Sequence, residues 1–558
     1  MNIREITNHL ESINFISNIE KTDSSIKPKR GVESLFKFEM KFQNQLESFY
    51  IGFNENFPLV KPIFFIKSFN QYGFIPHVEP DGFVCFAHDE GLVLDFKNPK
   101  GIIEESINLA VSTLDNGISG SNKDDFYNEF DNYLKSNQYI EKSAYSLVDT
   151  HDSIKKIKAF KINNTIFLSE SKTKLKQSNL SSIQNKKIDE LEPYIYVHLD
   201  SPIKPIEFDK KWYRDETIKT ITERLSKNNK AKLNTLMHTN KTSKILLHFI
   251  APNLSECLIG LDIKKRGLSI SSEQIEIDVS YINRLDSNYF NNRGGAYNDL
   301  KSKKVLLIGC GSVGGFVAHY LVKSGIVNLT LVDNDKFTPD NINRHILGLN
   351  SINKLKTECL KNFINKSVIR CNISTENNTI EKAIKIKNIT LKDYDLIISA
   401  TGNPTINLWL NDLLISKHKV PLIITWVEPY GIGGHSILIN NTKKGCYRCL
   451  MDPITNHNEA AFYSPNQSFI KSISSCSSVF TPYGILDSQQ SANTCVRLAL
   501  KYLLGNEEDN PIISWKGDSK TFTDNHYKLS KRYELSSEDL FNARYSFKKN
   551  NCETCAKL

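Results

Sequence analysis

At 558 residues the chain is long enough for three domains, each with a core of its own. Lys and Arg number 71 against 62 Asp and Glu, and the resulting charge of +9 is scattered, so it leaves no nucleic-acid footprint. Eleven cysteines, no apolar signal-peptide core after Met1 and no apolar run of membrane-spanning length point to a reducing, cytoplasmic setting without a membrane partner.

Residues 35–42 and 49–53 alternate apolar and polar side chains with the period of two expected of antiparallel strands. The turn Phe57-Pro-Leu-Val-Lys-Pro62 follows, then His77-Val-Glu-Pro-Asp-Gly82-Phe-Val-Cys85. Taken alone, Cys85 reads as a small buried hydrophobe. The meander, the Pro-rich turn and the H-x-x-x-x-G-x-x-C run together resemble a ubiquitin-conjugating domain. That resemblance implies that Cys85 carries an acyl group as a thioester. The family's His-Pro-Asn stretch is reduced here to Pro76-His77-Val78, with no asparagine in the oxyanion-stabilising role. His77 either substitutes for it or is structural.

Residues 117–125 read as a loop and 126–134 as a helix closing a first domain of residues 1–145. Residues 146–285 mix strands at 194–198 and 244–249 with a helix at 216–227 and a Lys/Asn-rich turn at 227–232. They present no catalytic constellation, and the expectation is a structural α/β linker domain. The third domain spans residues 286–558.

Its opening strand, Lys304–Ile308, is short, apolar and rich in branched residues, as a buried parallel strand requires. Gly309-Cys-Gly311-Ser-Val-Gly314 follows, and then a helix at 313–323 with Phe316, Val317, Tyr320 and Leu321 on one face. A second strand at 328–332 ends in Asp333, 19 residues beyond Gly314, where an acidic side chain meets ribose hydroxyls. Glycines let the backbone approach phosphate, and the helix N-terminus offers unpaired N–H donors. The alternative is a chance glycine turn, but strand, loop, helix, strand and acid all in order favour a nucleotide.

Downstream come Asp333-Asn-Asp335, Asn341-Ile-Asn343-Arg344-His345 and Lys356. This order resembles the ubiquitin-activating superfamily with its ThiF- and MoeB-like members, and implies a Rossmann-like adenylation domain that uses ATP and Mg2+. A hydride-transfer enzyme has no need of cations here. Adenylation does, because a carboxylate attacks the α-phosphate and pyrophosphate leaves. By the resemblance Arg344 and Lys356 hold the triphosphate, Asp333 the ribose, and Asn343 belongs to the same nucleotide loop. The family's magnesium-anchoring aspartate is Gly402 here. The ion then falls to Asp335 or Asp333, or to phosphates and water. Arg293 occupies a lead-in segment from which related enzymes reach across a homodimer to ATP; a solvated arginine is the alternative.

Two Cys-x-x-Cys knuckles, Cys446/Cys449 and Cys552/Cys555, suit a tetrahedral zinc of four thiolates, in a ThiF-like layout. The alternatives are redox pairs or unrelated thiols. A closed four-cysteine site leaves no open position, so this Zn2+ is structural. Between the knuckles, Cys476 lies in a loop of small residues ahead of a helix at 488–504, where thioester-forming members of the family place their nucleophile. Cys495, inside that helix, is its competitor but reads as a buried structural thiol.

An activating-like domain behind a conjugating-like one resembles the fusion enzymes of bacterial CBASS antiphage operons. The fold implied is α/β multidomain: an α+β ubiquitin-conjugating-like domain, an α/β linker and a Rossmann-like ThiF domain. The activity implied is ligation of a partner's C-terminal carboxylate, the tail of a CD-NTase (a cyclic-nucleotide synthase), through thioesters on Cys476 and then Cys85 to a lysine of a target protein. Two alternatives use the same sequence. One is a sulfur-carrier-protein adenylyltransferase whose N-terminal domain only docks; the other is an ATP-binding scaffold.

Overall fold

The computed structural model describes residues 3–23, 30–240, 243–263, 275–469, 471–472 and 479–558. The chain divides into two compact units, Met1–Lys172 with Lys186–Arg284, and Thr173–Asn185 with Leu285–Leu558.

In the first unit, helix α1 (Ile3–Glu11) leads into strands β1 (Ile16–Thr22), β2 (Ser34–Phe42), β3 (Gln45–Phe53), β4 (Ile63–Ile66) and β5 (Phe83–Val84), an antiparallel meander in chain order. The alternation in β2 sends Phe36, Phe38, Met40 and Phe42 to one buried face. Helix α2 (Pro99–Ser119) covers that face with Ile103, Ile107, Ala110 and Leu114, spaced to share one side of the helix. The loop expected at 117–125 therefore starts inside α2, which runs on until Gly120, at φ +74°, caps it in the left-handed region. The helix expected at 126–134 is two short ones, α3 (Asp125–Asn128) and α4 (Phe130–Ser136). The break lets the segment serve two cores: Phe126 and Tyr133 pack on Phe74, while Phe130 and Leu134 enter the core of the next region.

That region, expected as an α/β linker, has both strands and helices, and its strands close into a barrel. Strands β6 (Lys142–Ser146), β7 (Ile154–Ile162) and β8 (Thr165–Ser169) precede in the chain a short helix, α5 (Lys172–Lys176), nearly all of which belongs to the second unit. Strand β9 (Asp189–His198), helices α6 (Arg214–Glu223) and α7 (Lys227–Asn240), and strands β10 (Lys244–Ile250), β11 (Glu256–Asp262) and β12 (Asp278–Arg284) complete the region. The strands close in the order β10-β11-β12-β6-β8-β7-β9. The Lys/Asn run at 227–232 is the first part of α7 and not a turn. Its apolar anchors, Leu233, Leu236 and Met237, come afterwards at helical spacing and join the barrel core.

The second unit contains α8 (Ser287–Gly294), β13 (Lys304–Ile308), α9 (Ser312–Lys323), β14 (Asn328–Val332), α10 (Lys356–Ser367), β15 (Asn372–Glu376), α11 (Ile380–Lys385), β16 (Leu396–Ser399), α12 (Pro404–Leu413), β17 (Leu422–Val427) and β18 (Gly433–Ile439). Two-residue strands β19 (Lys471–Ser472) and β20 (Val479–Phe480) pair with each other, and α13 (Ile485–Leu503) and β21 (Ile512–Lys516) follow. The large sheet runs β15-β14-β13-β16-β17-β18-β21; the first five strands pair in parallel, and β18 alone runs the other way, antiparallel to both β17 and β21. Chain direction across the sheet reverses between β13 and β16, so a crevice opens at their carboxyl ends, as doubly wound sheets provide for ligands. Phe316, Val317 and Leu321 of α9 pack with Ala492, Val496 and Ala499 of α13 in one core. Cys495 is fully buried in it, and burial holds its thiol well above the ordinary range. Among the described residues no helix is long and apolar enough to cross a membrane.

Candidate functional site

The glycine loop joins β13 to α9 at that crevice. Gly309 adopts φ +91°, and a Cβ there would lie 2.8 Å from the carbonyl carbon of Ala400, at the end of β16. A Cβ on Gly314 would come within 1.9 Å of the Gly309 oxygen, so only glycine lets α9 begin this close to the strand. A Cβ on Gly311 would meet nothing within 4 Å: its backbone faces open space at the helix N-terminus, the approach a phosphate needs. The loop is held from beside it. Cys310 donates its amide to Asp333 Oδ2 at 2.7 Å, and Asp335 donates its amide to Asp333 Oδ1 at 2.8 Å. His345 Nε2 donates to the Cys310 carbonyl at 2.9 Å, while its Nδ1 accepts the Leu347 amide at 3.0 Å. Burial depresses the His345 pKa to about 4, so the ring is neutral and its proton sits on Nε2.

The two candidate cations are held differently. Lys356, the first residue of α10, is buried and pairs with Asp335 Oδ2 at 2.9 Å. Arg344 ends the short turn Pro339–Arg344, on which Asn343 is exposed. Its guanidinium lies 4.9 Å from the centre of the Tyr483 ring, and its Nε is buried without a hydrogen-bond partner. Tyr483 also reaches Ser312, the first residue of α9, with 2.8 Å between hydroxyls. Gly402 stands at φ +66° with open space where a side chain would project. Arg293 is exposed on α8, its Nη1 donating to the Tyr289 hydroxyl at 3.3 Å.

The four knuckle cysteines are buried together, with ligand atoms all within 4.8 Å of one another. Sulfur–sulfur distances of 3.9 Å (Cys446–Cys449), 3.6 Å (Cys446–Cys552) and 3.5 Å (Cys449–Cys555) are near the edge of about 3.8 Å that metal–sulfur bonds of about 2.3 Å impose on a tetrahedron. The arrangement fits zinc. Helix α12 connects this cluster to the nucleotide crevice. Asn407 accepts from Ser399 at 2.7 Å and Thr401 at 3.4 Å, at the end of β16. One turn on, Asn411 accepts the Tyr447 amide at 2.9 Å, and Asp412 accepts from Arg448 and Thr554 inside the knuckles.

In the first unit, Cys85 is half-buried and donates its amide to the His77 carbonyl at 2.8 Å. His77, at φ +64°, donates its amide N–H to the Tyr133 hydroxyl at 3.0 Å. Its Nε2 is 2.9 Å from Asp125 Oδ2 and its Nδ1 3.5 Å from Glu129 Oε2. Burial opposes charge on this ring. Hydrogen bonding with Cys85 and Asp125 and the charges of Glu129 and Asp125 outweigh it, raising the pKa to about 9. His77 is thus an imidazolium beside the thiol.

Gly309, Gly311, Gly314, Asp333, Asp335, Arg344 and Lys356 therefore gather around the carboxyl ends of β13 and β14, and His77 meets Cys85. Cys476 lies outside the described residues. Ser312 and His345 lie within the motifs read from the sequence, but without a role of their own. Tyr483 beside the glycine loop, Asp125, Glu129 and Tyr133 around His77, and Asn407, Asn411 and Asp412 beneath the knuckles are given no role by the sequence reading.

Residues 285–524 match the ThiF family and residues 24–142 match Prokaryotic E2 family B. The chain is 25% identical over 240 residues to the ATP-dependent ubiquitin transferase-like protein Cap2 of Pseudomonas aeruginosa, covering 42% of each chain. It is 32% identical over 195 residues to the protein of the same name from Vibrio cholerae, covering 33% of this chain and 32% of that one. The chain thus spans well under half the length of these relatives. The solved microcin C7 biosynthetic enzyme MccB in complex with N-formylated MccA is similar at 17% identity and a TM-score of 0.33, over 48% of this chain and 75% of that one.

Proposed function

From a Cap2-like chain that joins a Prokaryotic E2 family B segment to a ThiF-family segment, we infer an ATP-dependent enzyme that adenylates a protein's C-terminal carboxylate and conjugates it to an amine. The observation that carries this reading is the crevice at the ends of β13 and β14: open space at Gly311, Arg344 against the Tyr483 ring whose hydroxyl meets Ser312, and Lys356 paired with Asp335 just after β14. A carboxylate oxygen attacks the α-phosphorus, the bond to the bridging oxygen breaks, and pyrophosphate leaves, with the two cations offsetting the charge that builds. Asp333, with both oxygens already oriented by backbone N–H groups, keeps lone pairs for ribose hydroxyls. Magnesium would come with the triphosphate, held by phosphate oxygens and water, with Asp335 or Asp333 as the carboxylate that would take part. Zinc on the four cysteines is structural, fixing the knuckles beneath α12.

The acyl group then passes from AMP to the Cys476 sulfur and from there to the Cys85 sulfur, each thiolate displacing the previous leaving group. A lysine amine of the target finally attacks the Cys85 thioester, losing a proton as the thiolate departs. His77, charged and adjacent, offsets the oxyanion of that last step, in the place where an asparagine is missing. This charged histidine, buttressed by Asp125 and Glu129, also favours a catalytic N-terminal domain over one that only docks a sulfur carrier. The activated protein is a CD-NTase through its C-terminal tail, and a second copy of this chain supplies Arg293 to the nucleotide. The test is a non-reducing gel of the enzyme with ATP, magnesium and a candidate synthase. A thiol-sensitive adduct that stalls on Cys476 in Cys85→Ala is expected; pyrophosphate release with no adduct on either cysteine overturns the relay.

A further inference from the structure

We infer that Tyr483 is a positioning residue for ATP: it aims Arg344 at the phosphates without neutralising it. The inference deepens the adenylation reading and rests on it. Lys356 is anchored by a carboxylate, which fixes the ammonium but cancels part of its charge. Arg344 has no carboxylate partner among the described residues, and its buried Nε has no partner at all. What it has is a ring, 4.9 Å below the guanidinium. An aromatic face holds a cation through its quadrupole and leaves the N–H donors and the full charge for a ligand.

The ring itself is fixed at both ends. Its hydroxyl meets Ser312 Oγ at 2.8 Å, which places Arg344 beside the first turn of α9, where the phosphate-facing backbone begins. Its backbone is clamped by the turn after β17. Tyr430, at φ +59°, donates its amide to the Pro482 carbonyl at 2.5 Å, and Asp487 accepts the Gly484 amide at 2.7 Å. A Cβ on Gly431, at φ +66°, would strike the Asp487 carboxylate at 2.4 Å, so this turn packs directly on the cap of α13. The turn in turn starts from Glu428, fully buried, which bonds His435 Nε2 at 3.0 Å and accepts the Phe462 amide at 2.9 Å. A chain of contacts thus runs from the sheet to the tyrosine, whose ring lies against Arg344.

The experiment is ATP binding by calorimetry, with no acceptor present, on the full chain and its variants. Tyr483→Phe keeps the ring and should stay within about threefold of wild type, whereas Tyr483→Leu loses the ring and should bind about tenfold more weakly. In an Arg344→Ala background the same leucine substitution should change affinity by less than about twofold, because the tyrosine acts through the arginine. Tyr483→Gln repeats the comparison if the leucine variant does not fold. Equal affinity in wild type and both ring-less variants, or the same loss with and without Arg344, overturns the inference while leaving adenylation standing. A wild-type chain that does not bind ATP overturns the functional reading, and this inference with it.

Discussion

The carbonyl oxygen of His77 accepts the amide N–H of Cys85 at 2.8 Å, while the imidazole of the same histidine faces the Cys85 thiol. Backbone and side chain of one residue thus both bear on the nucleophile. The left-handed backbone of His77, uncommon for a residue with a side chain, makes this possible, and the Tyr133 hydroxyl holds it there.

Cys85→Ala should abolish transfer to the amine while leaving adenylation intact. His77→Gln should keep loading of Cys85 but slow its discharge by roughly a hundredfold, the scale of losing one oxyanion partner. Single-turnover discharge of the preformed thioester measures this, and an unchanged rate would show that the imidazolium has no part in it.

The raised pKa of His77 makes a stability prediction with a definite sign. Its folded value, about 9, exceeds the ordinary 6.5, so its contribution is complete below pH 6.5 and is lost as pH rises through 9. Urea unfolding of the wild type should show this decline on the alkaline side, and His77→Gln should flatten it.

His345 acts in the opposite direction. Buried and neutral, with a pKa near 4, it supports the fold above pH 6.5, and that support falls as acid protonates the unfolded chain between 6.5 and 4. Because His345 donates to the Cys310 carbonyl and stays neutral in the folded chain until the pH nears 4, ATP affinity should hold between pH 7 and pH 5 and fall only as the pH approaches 4. Calorimetric titration at pH 5 and pH 4 would detect it; equal affinity at the two would separate the histidine from the loop.

Removal of zinc should lower the thermal midpoint of the second unit by several degrees, since metal binding and folding are coupled at such sites. Cys449→Ser and Cys555→Ser should each release the metal, measured by plasma emission as metal per chain. Retention of zinc in Cys555→Ser would mean that the C-terminal knuckle is not a ligand.

Lys356→Ala and Arg344→Ala should each cut pyrophosphate exchange by about a hundredfold, as expected for one cation at a phosphoryl transition state. Lys356→Ala should also leave Asp335 unpaired, which Asp335→Asn in the same chain should partly relieve.

The nucleotide half was legible because its signals are local. Lys304–Ile308, Gly309 to Gly314 and Asp333 follow one another within a single β-α-β unit, and the knuckles announce themselves by spacing. What escaped was brought together from far along the chain: Asp125 meets His77 across 48 residues, and Tyr483 meets Ser312 across 171. No periodicity encodes such pairs. The barrel was missed for another reason. Its seven strands close on one another through both parallel and antiparallel pairings, so neither neighbouring order nor alternation marks closure. Residues 227–232 misled by composition, because the apolar residues that hold α7 lie beyond the Lys/Asn run.

The cysteine cluster joins partners 106 residues apart and touches α12, whose other side holds the end of β16. The first knuckle meets its two remaining cysteine partners only when Cys552 and Cys555 have been made. Helix α12 therefore gains its last anchor only after every strand of the large sheet has been made. Through α12 the last residues of the second knuckle and the end of β16 share one helix: Asp412 accepts from Thr554, and Asn407 accepts from Ser399.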